Sequence, residues 1–388
     1  MTPEPAPAAP GSGLPETGAR RHYLDNIRSV TILAVVFFHV FYLFNGTGDV
    51  TNLRPKLGYV QLDVVEYFLY PWIMPLLFLV AGISARYSLA QRSAGKFLKE
   101  RCRKLLVPFF GGAFLLGWVN GWVSDLSNGA FSFLAAIPDP VARGIVYYLC
   151  YVMNVGVLWF LPELFAASLI LLLLRAIDHH DVMWTLAGRA VSSRAGLVFL
   201  IALASLVWGS SMVLNTPYVV VFRNGIYWFV FLLGYFVFSH DAAQKALREA
   251  GNWLLAVAVV VGVAVCVVFF GQQYTVPSFL ENPLVNAYLW LMCLALLGWG
   301  QRHMDGAGRI WSYLRQRSFE IYAIHYPLML LIAYALVTFT SLPMWANYVL
   351  LLVLAYPVAI LAAEALTHVP VIRFLLFGRR KPLKRRLN

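Results

Sequence analysis

Long apolar segments dominate this chain and restrict the folds open to it. About ten of them reach the roughly 20 residues that a helix needs to cross a membrane. Only 12% of the 388 residues are charged, against about 25% in soluble domains. The sequence therefore predicts an all-α fold, a polytopic membrane helix bundle, with 131–150 as an external loop. The predicted spans are 29–46, 60–84, 105–122, 155–174, 196–214, 219–238, 252–270, 283–300, 319–340 and 345–368.

The basic residues follow this topology. The net charge is +12, but the Lys and Arg residues are concentrated on one side of the predicted membrane. With the N-terminus inside, this is a strong positive-inside bias that puts both termini in the cytoplasm and requires an even number of spans. Membrane lipid, and not nucleic acid, is therefore the expected partner of the positive charge. All but four of the 30 Lys and Arg lie inside, the exceptions being Arg54, Lys56, Arg143 and Arg223.

Three regions are predicted along the chain. Residues 1–19 are rich in Pro, Ala and Gly without an apolar period, which is typical of a disordered cytoplasmic leader. Residues 20–372 form the membrane domain. Residues 373–388 form a basic cytoplasmic tail that is expected to face anionic lipid. The four cysteines have neither a disulfide framework nor zinc-ligand spacing, so no metal is expected.

The first predicted span contains a histidine. His39 lies within the apolar run 29–44, and Arg28 precedes it by eleven residues. Eleven residues are roughly three helical turns, so the two side chains fall on one face about 16 Å apart. A titratable group at membrane depth is costly, which makes it a functional-site hypothesis.

Two further polar groups lie deep in later spans. Tyr322 and His325 are three residues apart and share a helix face. Imidazole suits general-base chemistry near neutral pH. Glu163 follows an aromatic turn and needs a partner or a wet cavity. The other acidic groups are expected to face water or to pair at the membrane surface: Asp63 and Glu66 with outer water, Glu364 with the basic tail, and the cluster 178–181 with solvent.

The segment 86–104 carries seven cations and one acid, Glu100. One interpretation is topological, because cations at this position anchor a loop on anionic lipid. The other is a cradle for a phosphate-bearing cytoplasmic ligand, with Arg101, Arg103 and Lys104 as its contacts. Charge alone leaves both interpretations open.

Short motifs recur in a recognisable order. They are 23–28 with His39 after it, 75–82, 101–108, 158–161, 231–234, 318–327 and 369–378. In order and spacing they resemble the integral-membrane acyltransferase-3 family, and most closely its branch typified by the glucans biosynthesis protein C, a periplasmic glucan succinyltransferase. Ala81-Gly82 stands where that family usually has Ser-Gly, so a hydroxyl contribution there is not expected.

The resemblance implies a multi-pass O-acyltransferase of a bacterial cytoplasmic membrane. It would move an acyl group from cytoplasmic acyl-CoA, either acetyl-CoA or succinyl-CoA, to a hydroxyl of a cell-envelope glycan or similar acceptor. His39 would be the catalytic base or a transient acyl carrier, and Arg28 would orient it or bind the donor. Arg101, Arg103 and Lys104 would contact the CoA phosphates.

The remaining site residues implied by the resemblance lie around the reaction cavity. Tyr322 and His325 would take part in catalysis, and Trp159, Glu163 and Asp25 would bind substrate. From the residues alone, two other functions stay open: a transporter or flippase with His39 and His325 as a proton relay, and a membrane sensor or scaffold. The oligomeric state is left open.

Overall fold

In the computed structural model, the described residues are 22–47, 53, 58–215 and 223–381. The predicted leader 1–19, Arg54, Lys56 and the end of the tail, 382–388, lie outside them. All regular elements in the described ranges are helical. The α-helices are α1 (His22–Leu43), α2 (Val64–Ala90), α3 (Ala94–Arg101), α4 (Val107–Gly112), α5 (Trp118–Asn128), α6 (Pro140–Met153), α7 (Phe160–Ile177), α8 (Val182–Ser192), α9 (Gly196–Ala202), α10 (Ala204–Ser210), α11 (Asn224–Phe236), α12 (Asp241–Val268), α13 (Pro277–Leu280), α14 (Pro283–His303), α15 (Arg309–Phe339), α16 (Met344–His368) and α17 (Pro370–Phe377).

Eight helical elements in the described ranges are long and apolar enough to cross a membrane. They correspond to eight of the ten predicted spans, so the polytopic all-α prediction is confirmed. The element Ala94–Asn128 is continuous because π-helical turns at Cys102–Leu106 and Ala113–Gly117 join α3, α4 and α5. The other seven are α1, α2 with the helical turn before it, α7, α12, α14, α15 and α16.

The structure differs from the prediction at 196–214 and 219–238. The first of these segments belongs to a bent element, because α8 and the pair α9–α10 meet at an angle of 117°. The second contains α11, whose 13 residues rise only about 20 Å, less than the roughly 30 Å of a bilayer's hydrocarbon core. Neither segment is the simple full-length span that its hydropathy predicted.

The predicted loop 131–150 was also wrong, because most of it belongs to α6. Asp139 caps this helix by accepting a hydrogen bond from the backbone N–H of Val141 at 2.8 Å, and Pro140 occupies its first turn. Val141, Ile145 and Leu149 are exposed at four-residue intervals. The segment is therefore a short helix that presents apolar side chains on the protein surface.

Two glycine motifs meet where α2 crosses α11. A Cβ atom on Gly82 would lie 2.0 Å from the carbonyl oxygen of Phe231, and one on Gly234 would lie 2.3 Å from that of Leu79. Only glycine allows these backbones to approach so closely. The crossing fixes α2, one wall of the site described below.

The C-terminal helix α17 returns to the bundle and packs on α4. The chain then turns at Gly378, whose φ is +63° and whose position lies against the backbone of Arg103. This turn directs Arg379, Arg380 and Lys381 inward. The prediction that the tail faces lipid is therefore wrong for Arg379, which pairs with the buried Glu320.

Several predictions for acidic groups also change. Asp63 and Glu66 are fully buried rather than water-facing, and Asp63 accepts hydrogen bonds from the backbone N–H of Gly46 at 2.9 and 3.0 Å. Glu364 pairs with Arg317 of α15 and with no tail residue among those described, which end at 381. In the cluster 178–181, the two histidines are exposed as expected, but Asp181 pairs with Arg86 at 3.1 Å.

Candidate active site

A cavity of about 640 Å³ opens at the face where α1 and α15 begin and α2 ends. This is the face that the positive-inside bias assigns to the cytoplasm. Apolar and aromatic side chains also line the cavity, among them Ile32, Phe160 and Tyr322. Ala81 also lines it, at the position where the resemblance would place a serine hydroxyl.

Cations surround the mouth of this cavity. Arg28 of α1 and the three predicted contacts from 101–104 lie there together, as the sequence predicted. Glu100 is the acid among the lining residues. The cationic mouth consists of Arg28, Arg92, Arg101, Arg103, Lys104, Arg315, Arg379, Arg380 and Lys381.

The π-helical turn Cys102–Leu106 lies within this mouth. In a regular α-helix, Arg101 and Arg103 would project from opposite sides, because two residues span about 200°. With the π-helical turn between α3 and α4, Arg101, Arg103 and Lys104 all line the same cavity. Such turns are frequent at functional sites.

Neighbouring side chains hold several of these cations in place. Arg28 pairs with Asp25 at 2.9 Å, and the Arg101 guanidinium lies 4.8 Å from the centre of the Phe97 ring. Arg315 donates to the side-chain oxygen of Asn26 at 2.8 Å. Asp25 therefore affects the mouth of the cavity through its pairing with Arg28. The predicted substrate-binding role of Asp25 can apply only at this end of the cavity.

A buried ion cluster fixes the tail at the mouth. The Glu320 carboxylate is fully buried and accepts hydrogen bonds from Arg317 at 2.6 Å and from Arg379 at 2.9 Å. Arg379 also donates to the backbone oxygen of Gln316 at 2.9 Å. A buried carboxylate requires such partners, so Glu320 ties the segment after α17 to α15.

Beyond the closed end of the cavity lies a row of three rings. The Tyr322 hydroxyl donates to the backbone oxygen of Val157, and the Tyr322 and His325 ring centres are 5.9 Å apart. Nε2 of His325 lies 3.3 Å from Nδ1 of His39. His39 and His325, two of the predicted catalytic residues, therefore meet, although 286 residues separate them.

The hydrogen bonds define which imidazole nitrogens carry protons. Nδ1 of His39 lies 2.7 Å from the Val35 carbonyl oxygen, and Nδ1 of His325 lies 2.7 Å from that of Tyr322. A carbonyl oxygen only accepts, so each neutral ring donates from Nδ1 and has its lone pair on Nε2. Nε2 of His325 then faces the His39 Nδ1–H group. Nε2 of His39 bonds to no described residue and keeps a free lone pair.

The surroundings of His39 are aromatic and partly open. The rings of Phe38, Tyr42 and Tyr326 have their centres 5.1 to 5.6 Å from that of His39. The His39 side chain is only partly buried, whereas His325 is fully buried. His39 thus has the more accessible imidazole of the two, and His325 lies behind it.

Arg28 does not touch His39. It lies about three turns away at the cavity mouth, as the spacing predicted, and pairs with Asp25. Val35 and His325 supply the hydrogen bonds that orient the His39 ring. Of the two roles suggested for Arg28, direct orientation of the His39 ring is therefore not supported by its contacts.

Trp159 and Glu163 lie apart from the cavity. Trp159 stacks on Tyr227 with ring centres 5.4 Å apart, and Glu163 accepts a hydrogen bond from the Trp228 indole at 2.9 Å. Both therefore face α11, whereas Phe160 on the other side of α7 lines the cavity. The contacts with Tyr227 and Trp228 account for the burial of Trp159 and Glu163 without any ligand.

Five cations of the cavity mouth were not predicted as site residues from the sequence: Arg92, Arg315, Arg379, Arg380 and Lys381. The positive-inside bias placed them on the correct face, but nothing in their local sequence separates them from ordinary membrane-surface cations. The one available signal was Glu320, an acid within the 318–327 motif that needs cationic partners once buried.

Comparison with known proteins agrees with this arrangement. A family model, described as an acyltransferase domain, matches residues 21–364. The chain belongs to the acyltransferase-3 family. It is therefore a multi-pass membrane enzyme that transfers acyl groups other than amino-acyl groups. This result confirms the predicted enzyme class over the transporter and scaffold alternatives. Searches of curated proteins and of solved structures found no match.

Proposed function

We propose that this enzyme moves an acyl group from cytoplasmic acyl-CoA to a hydroxyl of a cell-envelope glycan or similar acceptor, in a bacterial cytoplasmic membrane. One observation carries the proposal: a cationic mouth, an apolar cavity and a pair of imidazoles follow one another along α1 and α15. An acyl-CoA has the same order of chemistry, with phosphates at one end, an uncharged arm and a reactive thioester.

The cationic mouth suits the phosphate end of the donor. Arginine forms paired, charge-assisted hydrogen bonds to phosphate, and the mouth contains several arginines from separate helices. The single lining acid, Glu100, is already engaged by Arg92 at 2.6 Å and by Lys104 at 3.5 Å. The mouth therefore has excess positive charge for an anionic ligand.

The apolar part of the cavity suits the uncharged arm. Arg28 and His39 are separated by eleven residues, or about 16 Å along α1, a distance that the extended pantetheine arm can bridge. The cavity ends at Tyr322, one ring short of His325. The thioester must therefore pass the Tyr322 side chain to reach the free nitrogen of His39.

The imidazole pair supplies the base. Nε2 of His39 accepts the proton of the acceptor hydroxyl as that oxygen attacks the thioester carbonyl carbon. The carbon–sulfur bond then breaks, and the proton passes to the departing thiolate, which yields an ester and free CoA thiol. His325 donates no proton in this step, and its Nε2 stabilises the His39 Nδ1–H group as the ring becomes positive.

The glucan branch supplies a candidate substrate pair, a succinyl donor and a periplasmic glucan; acetyl is the alternative group. Its closing motif, 369–378, forms α17 and the turn that directs the tail to the cavity mouth. That motif is thus adjacent to the donor end of the proposed site.

The test combines a donor assay with product mass. Purified protein in nanodiscs is given acetyl-CoA or succinyl-CoA with a periplasmic glucan fraction, and free thiol is measured together with the glucan mass. We expect thiol release that depends on the glucan and a matching mass increase of one acetyl or succinyl group per transfer. Thiol release without acceptor modification would reject the proposed acceptor class, and the absence of release with either donor would reject the proposed donors.

A further inference from the structure

A second concave surface lies beside the donor cavity, on the outside of the element Ala94–Asn128. This lateral groove, of about 1020 Å³, lies between that element and α17. Its deep part is apolar and contains Phe110 and Phe114, which are 56% and 54% exposed. Its rim at the cytoplasmic end contains Lys96, Lys99, Arg103 and Arg380.

The groove has the depth of one lipid leaflet. From Arg103 on the rim to Phe114, eleven residues rise about 16 Å along the helix. One leaflet accounts for about half of the roughly 30 Å hydrocarbon core. A molecule with its head on the rim and its chains along the phenylalanines would therefore extend to the middle of the membrane.

The rim has a net positive charge that its own acid does not neutralise. Lys96, Lys99 and Arg103 are exposed on the same helical element, and Arg380 adds a fourth cation from the tail. Glu100, the acid in the groove lining, pairs with Arg92 and Lys104, and neither of these two lines the groove. The charge of the rim thus complements an anionic head group.

We propose that the lateral groove binds one anionic phospholipid of the cytoplasmic leaflet. The phosphate lies on the cationic rim, and the acyl chains lie along Phe110 and Phe114. The site does not depend on the donor assignment, because it faces the lipid rather than the cavity. The two surfaces share Glu100, Arg103 and Arg380 as a common wall.

The shared wall determines the design of the test. Arg103 and Arg380 line both surfaces, so changing them would also disturb the cavity. Lys96 and Lys99 line the groove alone. The double variant K96E/K99E therefore removes the rim charge without touching the cavity wall. A matched control is R189E/R194E, which reverses two exposed cytoplasmic cations outside both linings.

The experiment uses the full chain in nanodiscs that contain equal amounts of phosphatidylglycerol and phosphatidylethanolamine, followed by native mass spectrometry of the lipid retained after release into detergent. We expect the wild type and R189E/R194E to keep one phosphatidylglycerol with about a 10-fold preference, since each cation near the surface contributes measurably to anion binding. In K96E/K99E we expect the preference to fall to about one.

Two outcomes would overturn the proposal. One is equal retention of the two lipids by the wild type, and the other is an undiminished preference in K96E/K99E. The retained mass also identifies the occupant, so a long-chain acyl-CoA or a lipid-linked sugar in place of phospholipid would count against it. Thermal unfolding of both double variants establishes that any loss of lipid reflects the rim and not the fold.

Discussion

The cavity mouth and the imidazole pair both include residues of α1 and α15, but they are opposite in chemistry. The mouth is rich in cations and open to water. The rings that surround His39 are those of Phe38, Tyr42, His325 and Tyr326, all uncharged side chains in their ordinary forms. The charged side chains of the mouth and the neutral imidazole of His39 are thus separated along the axis of α1.

The separation has a physical reason. An unpaired charge deep in hydrocarbon is costly, whereas the same charge at the membrane surface is solvated. A neutral imidazole tolerates the interior once its N–H group has a partner, which Val35 provides for His39. Variants that change either the cavity mouth or the imidazole pair can therefore test this separation.

His39→Ala should impair the reaction at the imidazole pair and leave binding at the cavity mouth unchanged. Loss of the free Nε2 removes the general base, so we expect kcat to fall by about 10²–10⁴-fold, while the donor KM changes little. Thiol release and donor titration measure the two quantities. His303→Ala is the matched control, because that exposed histidine makes the same type of hydrogen bond, to the Trp299 carbonyl at 2.9 Å. Full activity of a folded His39→Ala protein would contradict the assignment.

Neutralising Arg101, Arg103 and Lys104 together should act on the binding end alone. We expect the donor KM to rise at least about 10-fold, because hydrogen bonds to charged groups contribute about 1.5–3 kcal/mol each. The value of kcat at saturating donor should be retained.

The control for this triple variant removes three cytoplasmic arginines that do not line the cavity: Arg175, Arg189 and Arg194. It changes the total charge equally. An unchanged KM in the first variant, or equal increases in both, would assign the segment 86–104 to membrane topology instead.

His325→Ala should have a smaller effect at the reaction end. The residue positions His39 through one hydrogen bond, which typically contributes about 0.5–1.5 kcal/mol, so we expect kcat to fall about 3- to 10-fold with the donor KM unchanged. His325→Gln, which retains an acceptor, should recover part of the loss. A variant that loses activity only in proportion to its folded fraction would indicate a purely structural role.

A change in ionic strength should have the smallest effect, and it should affect the cavity mouth more than the imidazole pair. Between 0.1 M and 1 M salt the Debye length shortens from about 10 Å to about 3 Å, which screens exposed charges. We expect the donor KM to rise a few-fold while kcat stays constant, as measured with a non-chaotropic salt. A parallel fall of kcat would show that charge also acts at the imidazole pair.

The fold was predictable where a single helix crosses the membrane. For eight spans, length and hydropathy were sufficient. They failed at 196–214 and 219–238, because hydropathy reports the presence of apolar residues and not the 117° bend between α8 and α9 or the short length of α11. The helix α6 was missed as well, because its 14 residues are too few for a full-length span.

The sequence predicted which residue types form the candidate site, but it did not predict how these residues are arranged in space. His39 and His325 were each singled out by their cost in hydrocarbon, yet no spacing rule relates residues so far apart in sequence. Arg379 resembled a lipid-facing cation until Glu320 was found to be its buried partner. Trp159 was predicted to bind substrate from the family resemblance and Glu163 also from its polarity at membrane depth, whereas both side chains contact α11.

The inward turn at Gly378 matters to anyone who engineers this enzyme. Because Arg379 to Lys381 form part of the cavity wall, a reporter or affinity handle fused directly after Lys381 would begin at the mouth of the cavity. The same handle placed before His22 would still be near the cytoplasmic face but would leave that wall intact. Fusion position is thus a functional choice in this protein, and the amino end is the safer one.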